Sequence, residues 1–138
     1  MTNSRCVDIR YEGIVNYQKA VELMKALQKQ RIDEQINDTM LILEHPEIVT
    51  IGPRAKNDGI TAPPGYETFP VDRGGGLTWH GQGQIVCYPI FKWNLEGEDS
   101  VAAIIEKIEG WIISSLTELH IPASRNERMQ GVWVGQHK

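Results

Sequence analysis

Cysteine is scarce in this sequence. Cys6 and Cys87 are the two that occur in 138 residues, far apart and not in a CxxC pair. That excludes a disulfide-framed small fold and predicts two reduced thiols. Long apolar runs are also missing, and none approaches the roughly 20 residues that cross a bilayer. The opening MTNSRCVDIR has no apolar stretch of the kind a signal peptide needs, so a cytoplasmic location is expected. Positive charge is in deficit. Fourteen Lys and Arg face 18 Asp and Glu, for a net charge of −4, which argues against a general nucleic-acid binder. No repeat and no low-complexity tract is present.

What remains is ordinary globular material. Hydrophobic residues make up 41% and charged residues 23%, which excludes disorder, collagen and coiled coil. At this length a core can form without a disulfide or a structural metal, so a single domain over 1–138 is expected. His120 and His137 have no ligand spacing, so a zinc site is not expected; no cofactor is expected either.

The chain divides into short strands and two long helices. Residues 7–11 (VDIRY) alternate as a strand does. Residues 16–31 place Tyr17, Ala20, Val21, Met24 and Leu27 at helical spacing, with Asn16 as N-cap. Residues 39–44 (TMLILE) form an apolar run suited to a buried strand, ended by His45-Pro46. Residues 47–52 read as a strand, 53–66 as a loop, and 69–73 as a strand entering a glycine-dense turn over 73–84. A strand follows at 84–90. Residues 99–119 make the strongest helix, with Asp99 or Ser100 as cap. Its stripe of Val101, Ile104, Ile105, Ile108, Ile112, Leu116 and Leu119 is expected to be core. GVWV (131–134) is a last strand, and a turn begins after it. The pattern is one α/β (α+β) domain with a mixed sheet flanked by helices.

The informative segment is Arg73-Gly74-Gly75-Gly76-Leu77-Thr78-Trp79-His80-Gly81-Gln82-Gly83-Gln84, which holds five of the thirteen glycines. Glycine reaches positive φ cheaply and lets a ligand approach the backbone. Thr78, His80 and Gln84 add hydrogen-bonding groups, and Arg73 adds a fixed charge. The run lacks the GK[ST] ending of a P-loop, and a strand follows it rather than the helix of a dinucleotide-binding turn. A merely flexible hairpin loop has no need of interleaved Arg, Thr, Trp, His and Gln.

RGGGLTWHGQGQIVCYPI (73–90) resembles the signature of the lipoyl(octanoyl) transferase family. LEHPEIVTIG (43–52) resembles that family's Glu-His-Pro segment and Thr-x-Gly strand, GVWV resembles its Gly-Val-aromatic-Val strand, and Lys138 falls where the family has a lysine. Gln82 departs from the pattern, standing where proline is usual.

The resemblance implies a fold like that of the lipoate- and biotin-protein ligases. It implies transfer of an octanoyl group from acyl carrier protein to a lysine of lipoyl domains, which belong to 2-oxoacid dehydrogenases and the glycine cleavage system. The chemistry passes through a thioester on an activated cysteine. Residues 73–80 (Arg73, Gly74, Gly75, Gly76, Leu77, Thr78, Trp79, His80), with Gly81, Gly83 and Gln84, would line the acyl site. His45 and His80 would orient reacting groups. Lys138 would lower the nucleophile's pKa and help deprotonate the acceptor lysine. Arg54, Lys56 and Arg128 are candidates for a basic patch facing the acidic carrier protein.

The family's nucleophile stands in a Pro-Cys-Gly context beyond the lysine, and these 138 residues hold none. Cys87 shares a face with Ile85 and Pro89 by alternation, so it is expected to be buried and inert. The sequence therefore reads as a fragment, a processed product or half of a split enzyme. Two rivals remain. An ATP-dependent lipoate- or biotin-protein ligase needs no cysteine, but carries an aspartate after the loop histidine and an asparagine in place of Gln84. A non-catalytic binder of lipoyl domains or acyl carrier protein would bind without turnover.

Overall fold

The computed structural model describes residues 4–138. It comprises two compact units. One runs Arg5–Lys92, and the other takes Trp93–Lys138 with Ser4.

The first unit is built on two mixed three-stranded sheets. In one, β1 (Val7–Ile14) lies parallel to β2 (Asp38–Glu44), and β2 pairs antiparallel with β6 (Val86–Ile90). In the other, β3 (Ile48–Ile51) is central, parallel to β4 (Thr68–Pro70) and antiparallel to β5 (Leu77–His80). The expected single mixed sheet is thus divided. The break falls at His45-Pro46, where proline supplies no N–H to carry β2 onward, and β3 begins on new partners.

Helix α1 (Tyr17–Ile32) starts where expected: Asn16 Oδ1 accepts from the N–H of Gln18 at 3.0 Å and of Lys19 at 3.4 Å. Its Ala20 and Leu27 pack on Leu41 and Leu43, with Val86, Tyr88 and Ile90 around them. Alternation along β6 therefore turns Val86, Tyr88 and Ile90 toward the helix. Cys87 faces the other way and is exposed, as is Ile85 at 72%. The pairing of Cys87 with Ile85 on one face holds, but its burial does not, because the covered face is the Tyr88 face.

Two further expectations change here. The loop 53–66 contains a short helix, α2 (Pro53–Asn57), with proline in its first turn, where a missing N–H costs nothing. The glycine-dense turn contains β5, whose residues 77–80 pair with β3.

Asp38 ties this unit together. It is 6% exposed. Its carboxylate accepts from Arg31 Nε at 2.6 Å, from the Lys92 N–H at 2.9 Å and from Arg5 Nη1. Burial opposes its charge, but the Arg31, Lys92 and Arg5 donors outweigh it and hold the carboxyl below its ordinary value. Arg5 also stacks over Phe91, 4.6 Å from the ring centroid.

The second unit holds α3 (Val101–Glu118) and a two-stranded ribbon, β7 (Ser124–Asn126) with β8 (Met129–Trp133). Ser100 is the cap, its Oγ accepting from Ala103 N–H at 3.1 Å. The helix is where the periodicity puts it, but its stripe is not core. Ile104, Ile105, Ile108 and Leu116 are half-buried, while Val101, Ile112 and Leu119 are exposed. Among the described residues of this unit the only sheet is a ribbon of two strands, too narrow to cover five turns. No helix among the described residues is long and apolar enough to cross a membrane.

Candidate functional site

The glycine-rich loop is organised from below by β3. Thr50 sits mid-strand opposite Thr78 of β5 and has no exposed surface. Arg73 reaches over this pair. Its Nη2 donates to Thr50 Oγ1 and to Thr78 Oγ1, both at 2.7 Å, with Gly76 O at 3.3 Å. Its Nη1 donates to Gly74 O at 3.0 Å. The planar fork of arginine suits four acceptors spread around it, which a lysine could not reach together. Arg73, expected to line the acyl site, thus spends most of its donors folding the loop that carries it.

Gly52, at the end of β3, fixes where the loop lies. Its N–H donates to Gly76 O at 3.0 Å. A Cβ on Gly52 would stand 2.3 Å from Gly75 O. Gly75 itself has φ +109°, a conformation that disfavours any side chain. Leu77 pairs with Ile51 and is half-buried. Arg54 of α2 reaches the loop from the other side, its Nη2 3.7 Å from where a Gly76 Cβ would be.

Beyond β5 the loop is pinned by two acids next to His45. Glu44 Oε1 accepts from the Gly83 N–H at 2.6 Å, and Glu47 Oε2 accepts from Trp79 Nε1 at 3.1 Å. The Trp79 ring folds back over Gly81, where a Cβ would come within 2.3 Å of it. Gln84 bridges two residues of the motif. Its Nε2 donates to Trp79 O at 3.2 Å, and its Oε1 lies 2.6 Å from His80 Nδ1.

His80 belongs to an aromatic cluster with Tyr17, His45, Phe69 and Tyr88. His80 stacks on Tyr17 with centroids 6.0 Å apart, and His45 meets His80 edge-on at 5.6 Å. His45 is wholly buried. Its Nδ1 donates to Val15 O at 2.8 Å, and its Nε2 accepts from the Tyr88 hydroxyl at 2.8 Å. Tyr17 lies against the His45 ring, with centroids 4.9 Å apart. Burial lowers the His45 pKa and raises those of both tyrosines, so all three groups are neutral in this cluster. His45 therefore touches the site through Tyr88, Tyr17 and His80.

Lys138 lies in the second unit. Val134 and His137 form a tight turn, with the Val134 N–H to His137 O bond at 2.8 Å. Past that turn the Lys138 stem crosses Gly131, whose hypothetical Cβ would be 2.4 Å from Lys138 Cε. The Gly131 N–H is held by Glu109 Oε2 of α3 at 2.6 Å. Trp133 of the same ribbon buries an Nε1 with no hydrogen-bond partner among the described residues.

Neither cysteine is set up as a nucleophile. Neighbouring atoms strip water from the Cys87 thiol and push its pKa up, which keeps it protonated. Cys6 precedes β1, outside the loop. Of the basic candidates, Arg54 and Lys56 share α2, while Arg128 sits in the turn between β7 and β8.

The structure thus brings Arg73, Gly74, Gly75, Gly76, Thr78, His80, Gly81, Gly83, Gln84 and His45 into one unit around β3 and β5. Sequence reasoning missed Tyr17, Thr50, Gly52, Tyr88 and the two acids. Gly52 and the acids left a signal, since all three lie in the Glu-His-Pro to Gly stretch already singled out. Thr50 and Tyr88 also lie inside stretches singled out by the resemblance, the Thr-x-Gly strand and the end of the 73–90 signature, but neither was given a role of its own.

The site is thus a glycine loop clamped by Arg73 on a mixed sheet, with His45 and His80 behind it. Residues 16–138 match the lipoyl protein ligase A/B catalytic domain, and the chain belongs to that family. It is 40% identical over 129 residues to an octanoyltransferase of Corynebacterium diphtheriae, covering 93% of this chain and 50% of that protein. It is 38% identical to one of Caldicellulosiruptor saccharolyticus, covering 96% of this chain and 59% of that protein. The chain therefore spans between half and three-fifths of these curated relatives. Among solved structures it is similar to LipL1 of P. falciparum in complex with lipoate, with TM-score 0.61 and 14% identity over 95% of this chain and 41% of that one. It is also similar to a bi-partite lipoate protein ligase of Thermoplasma acidophilum, with TM-score 0.54 and 13% identity over 94% of this chain and 52% of that one. These two likenesses establish the fold, which is that of the lipoate protein ligases, as expected.

Proposed function

We propose that this chain carries the acyl-binding part of an octanoyltransferase, which moves an octanoyl group from acyl carrier protein to a lysine of lipoyl domains. The acceptors would be the lipoyl domains of 2-oxoacid dehydrogenases and of the glycine cleavage system. The single observation that carries this reading is the Arg73 clamp: one guanidinium holds Thr50, Thr78, Gly74 O and Gly76 O, in a chain whose curated relatives are octanoyltransferases. The clamp holds the Gly74–Gly76 backbone in one shape, against which an alkyl chain can pack without side chains in the way.

Lys138 is the cation in this scheme. Held along Gly131, it would stabilise a thiolate nearby. That thiolate comes from neither Cys6 nor Cys87. Arg54 and Lys56, two exposed cations on α2 beside the loop, would meet the acidic carrier. Two unpaired thiols fit a reducing compartment, the cytoplasm.

The ligase alternative rests on the lipoate-bound fold relative. Mass spectrometry of a lipoyl domain incubated with the chain and octanoyl-acyl carrier protein, beside a pyrophosphate assay with lipoate and ATP, separates the two. The expected outcome is no pyrophosphate and negligible octanoylation by the 138 residues alone. Pyrophosphate release would replace the proposal with the ligase reading.

A further inference from the structure

Both site histidines are fixed in one tautomer by a backbone carbonyl, a group that can accept but never donate. For His45 the carbonyl is Val15 O, which demands a proton on Nδ1. Nε2 is then the acceptor for Tyr88. Both nitrogens are engaged and the ring is fully buried, so His45 exchanges no proton with a ligand.

For His80 the constraint comes through one more residue. Trp79 O takes the Gln84 Nε2–H at 3.2 Å, which settles the orientation of that amide. The atom facing His80 is therefore the amide oxygen, and it accepts the Nδ1–H at 2.6 Å. Neutral His80 then carries its lone pair on Nε2, and among the described residues nothing hydrogen bonds to that atom. The ring is half-buried, held by its stack on Tyr17.

We propose that Gln84 is a positioning residue, which presents His80 Nε2 as a fixed proton acceptor to the substrate amine. This deepens the acyl-transfer reading above and rests on it. A bare Nε2 cannot hold a carboxylate or an oxyanion, both of which need donors. It suits a group that arrives with a proton to lose. When a lysine amine attacks an octanoyl thioester, the C–N bond forms and the C–S bond breaks. The amine proton passes to His80 Nε2, in place of the share in that step the resemblance gives Lys138, and the imidazolium returns it to the departing thiolate, so that thiol and amide are the products. Gln84 acts by denying His80 the other tautomer.

The test is the tautomer itself, read by long-range 1H–15N correlation spectra of the 138-residue chain labelled with 15N-histidine, above the ordinary histidine pKa. His80→Gln assigns the signals. The expected result is a protonated Nδ1 and a bare Nε2 on His80. Gln84→Leu should release it to a mixture of tautomers, while Gln84→Glu, which keeps an acceptor there, should retain Nδ1–H. Adding Nε-octanoyl-lysine amide, whose N–H is a donor, should shift the Nε2 resonance; octanoate should leave it in place. A proton on Nε2 in the parent chain, or no change in Gln84→Leu, would overturn the positioning role. An Nε2 shift with octanoate but not with the amide would overturn the assignment to the amine. If neither compound perturbs the chain, the octanoyl reading itself fails and His80 loses its amine with it. Gln84's hold on the tautomer is still read separately by the variant spectra.

Discussion

Arginine has five N–H donors in a rigid fork, and Arg73 places them on two threonine hydroxyls and two glycine carbonyls. Thr50 is the buried end of that arrangement. Thr50→Val keeps the shape but leaves Arg73 one acceptor short, at a cost of about 1–3 kcal/mol in unfolding free energy. Thr50→Ser should restore much of it, and urea denaturation of the three proteins is the check. Glycine positions divide just as clearly. Gly52→Ala drives a methyl into Gly75 O, a backbone atom that cannot step aside. It should lose about 1–3 kcal/mol and shift the amide resonances of 74–76. Gly74→Ala meets open space and should stay within about 0.5 kcal/mol of the parent. At this scale the motif was legible and its internal roles were not. Arg73 looks like a substrate-facing charge in the sequence because the acceptors it satisfies, Thr50 above all, lie 23 positions away.

Among the elements, those with strong periodicity or a cap were readable. Helix α1 begins at Asn16 and α3 at Ser100, as the capping chemistry requires. β5 was hidden because glycines and polar residues obscure its alternation, and its strand character comes from pairing with β3. β7, a three-residue strand, has too short a pattern to show. The face of Cys87 was misjudged for a similar reason: alternation says which residues share a face, but only α1 says which face is covered. The α1–β2 junction carries a pH signature. Asp38 has a folded pKa held below its ordinary 3.8. The folded state therefore resists protonation there, its stabilisation is full above that value, and it is lost as pH falls through the lowered one. His45 is also depressed, from an ordinary 6.5. The unfolded chain takes up that proton first, so stability begins to fall as pH drops below about 6.5. Unfolding free energy measured from pH 8 to pH 2 should decline in two stages. Asp38→Asn should flatten the lower stage and His45→Gln the upper, each with a loss of stability at neutral pH. For Asp38 that loss is expected to be about 3 kcal/mol, because Arg5 and Arg31 lose the carboxylate they share.

For the molecule as a whole, family and fold were legible from one dense motif and the order of three lesser ones. The division of the sheet and the exposure of α3 were not, because neither leaves a local pattern. Periodicity identifies an amphipathic helix without saying whether anything covers its stripe. The chemistry follows the same division. Under the proposed reading the loop and the histidines serve binding, and Cys6, outside the loop, and Cys87, whose thiol pKa is pushed up by burial, take no part in turnover. The direct measurement is a titration of the 15N-labelled 138-residue chain with octanoyl-acyl carrier protein, and with the carrier lacking its acyl group. The account predicts that the octanoylated carrier shifts the backbone amides of 73–84, that the unacylated carrier leaves the glycines largely in place, and that Arg73→Ala abolishes the difference. Equal shifts from both carriers, or none in the loop, would contradict it.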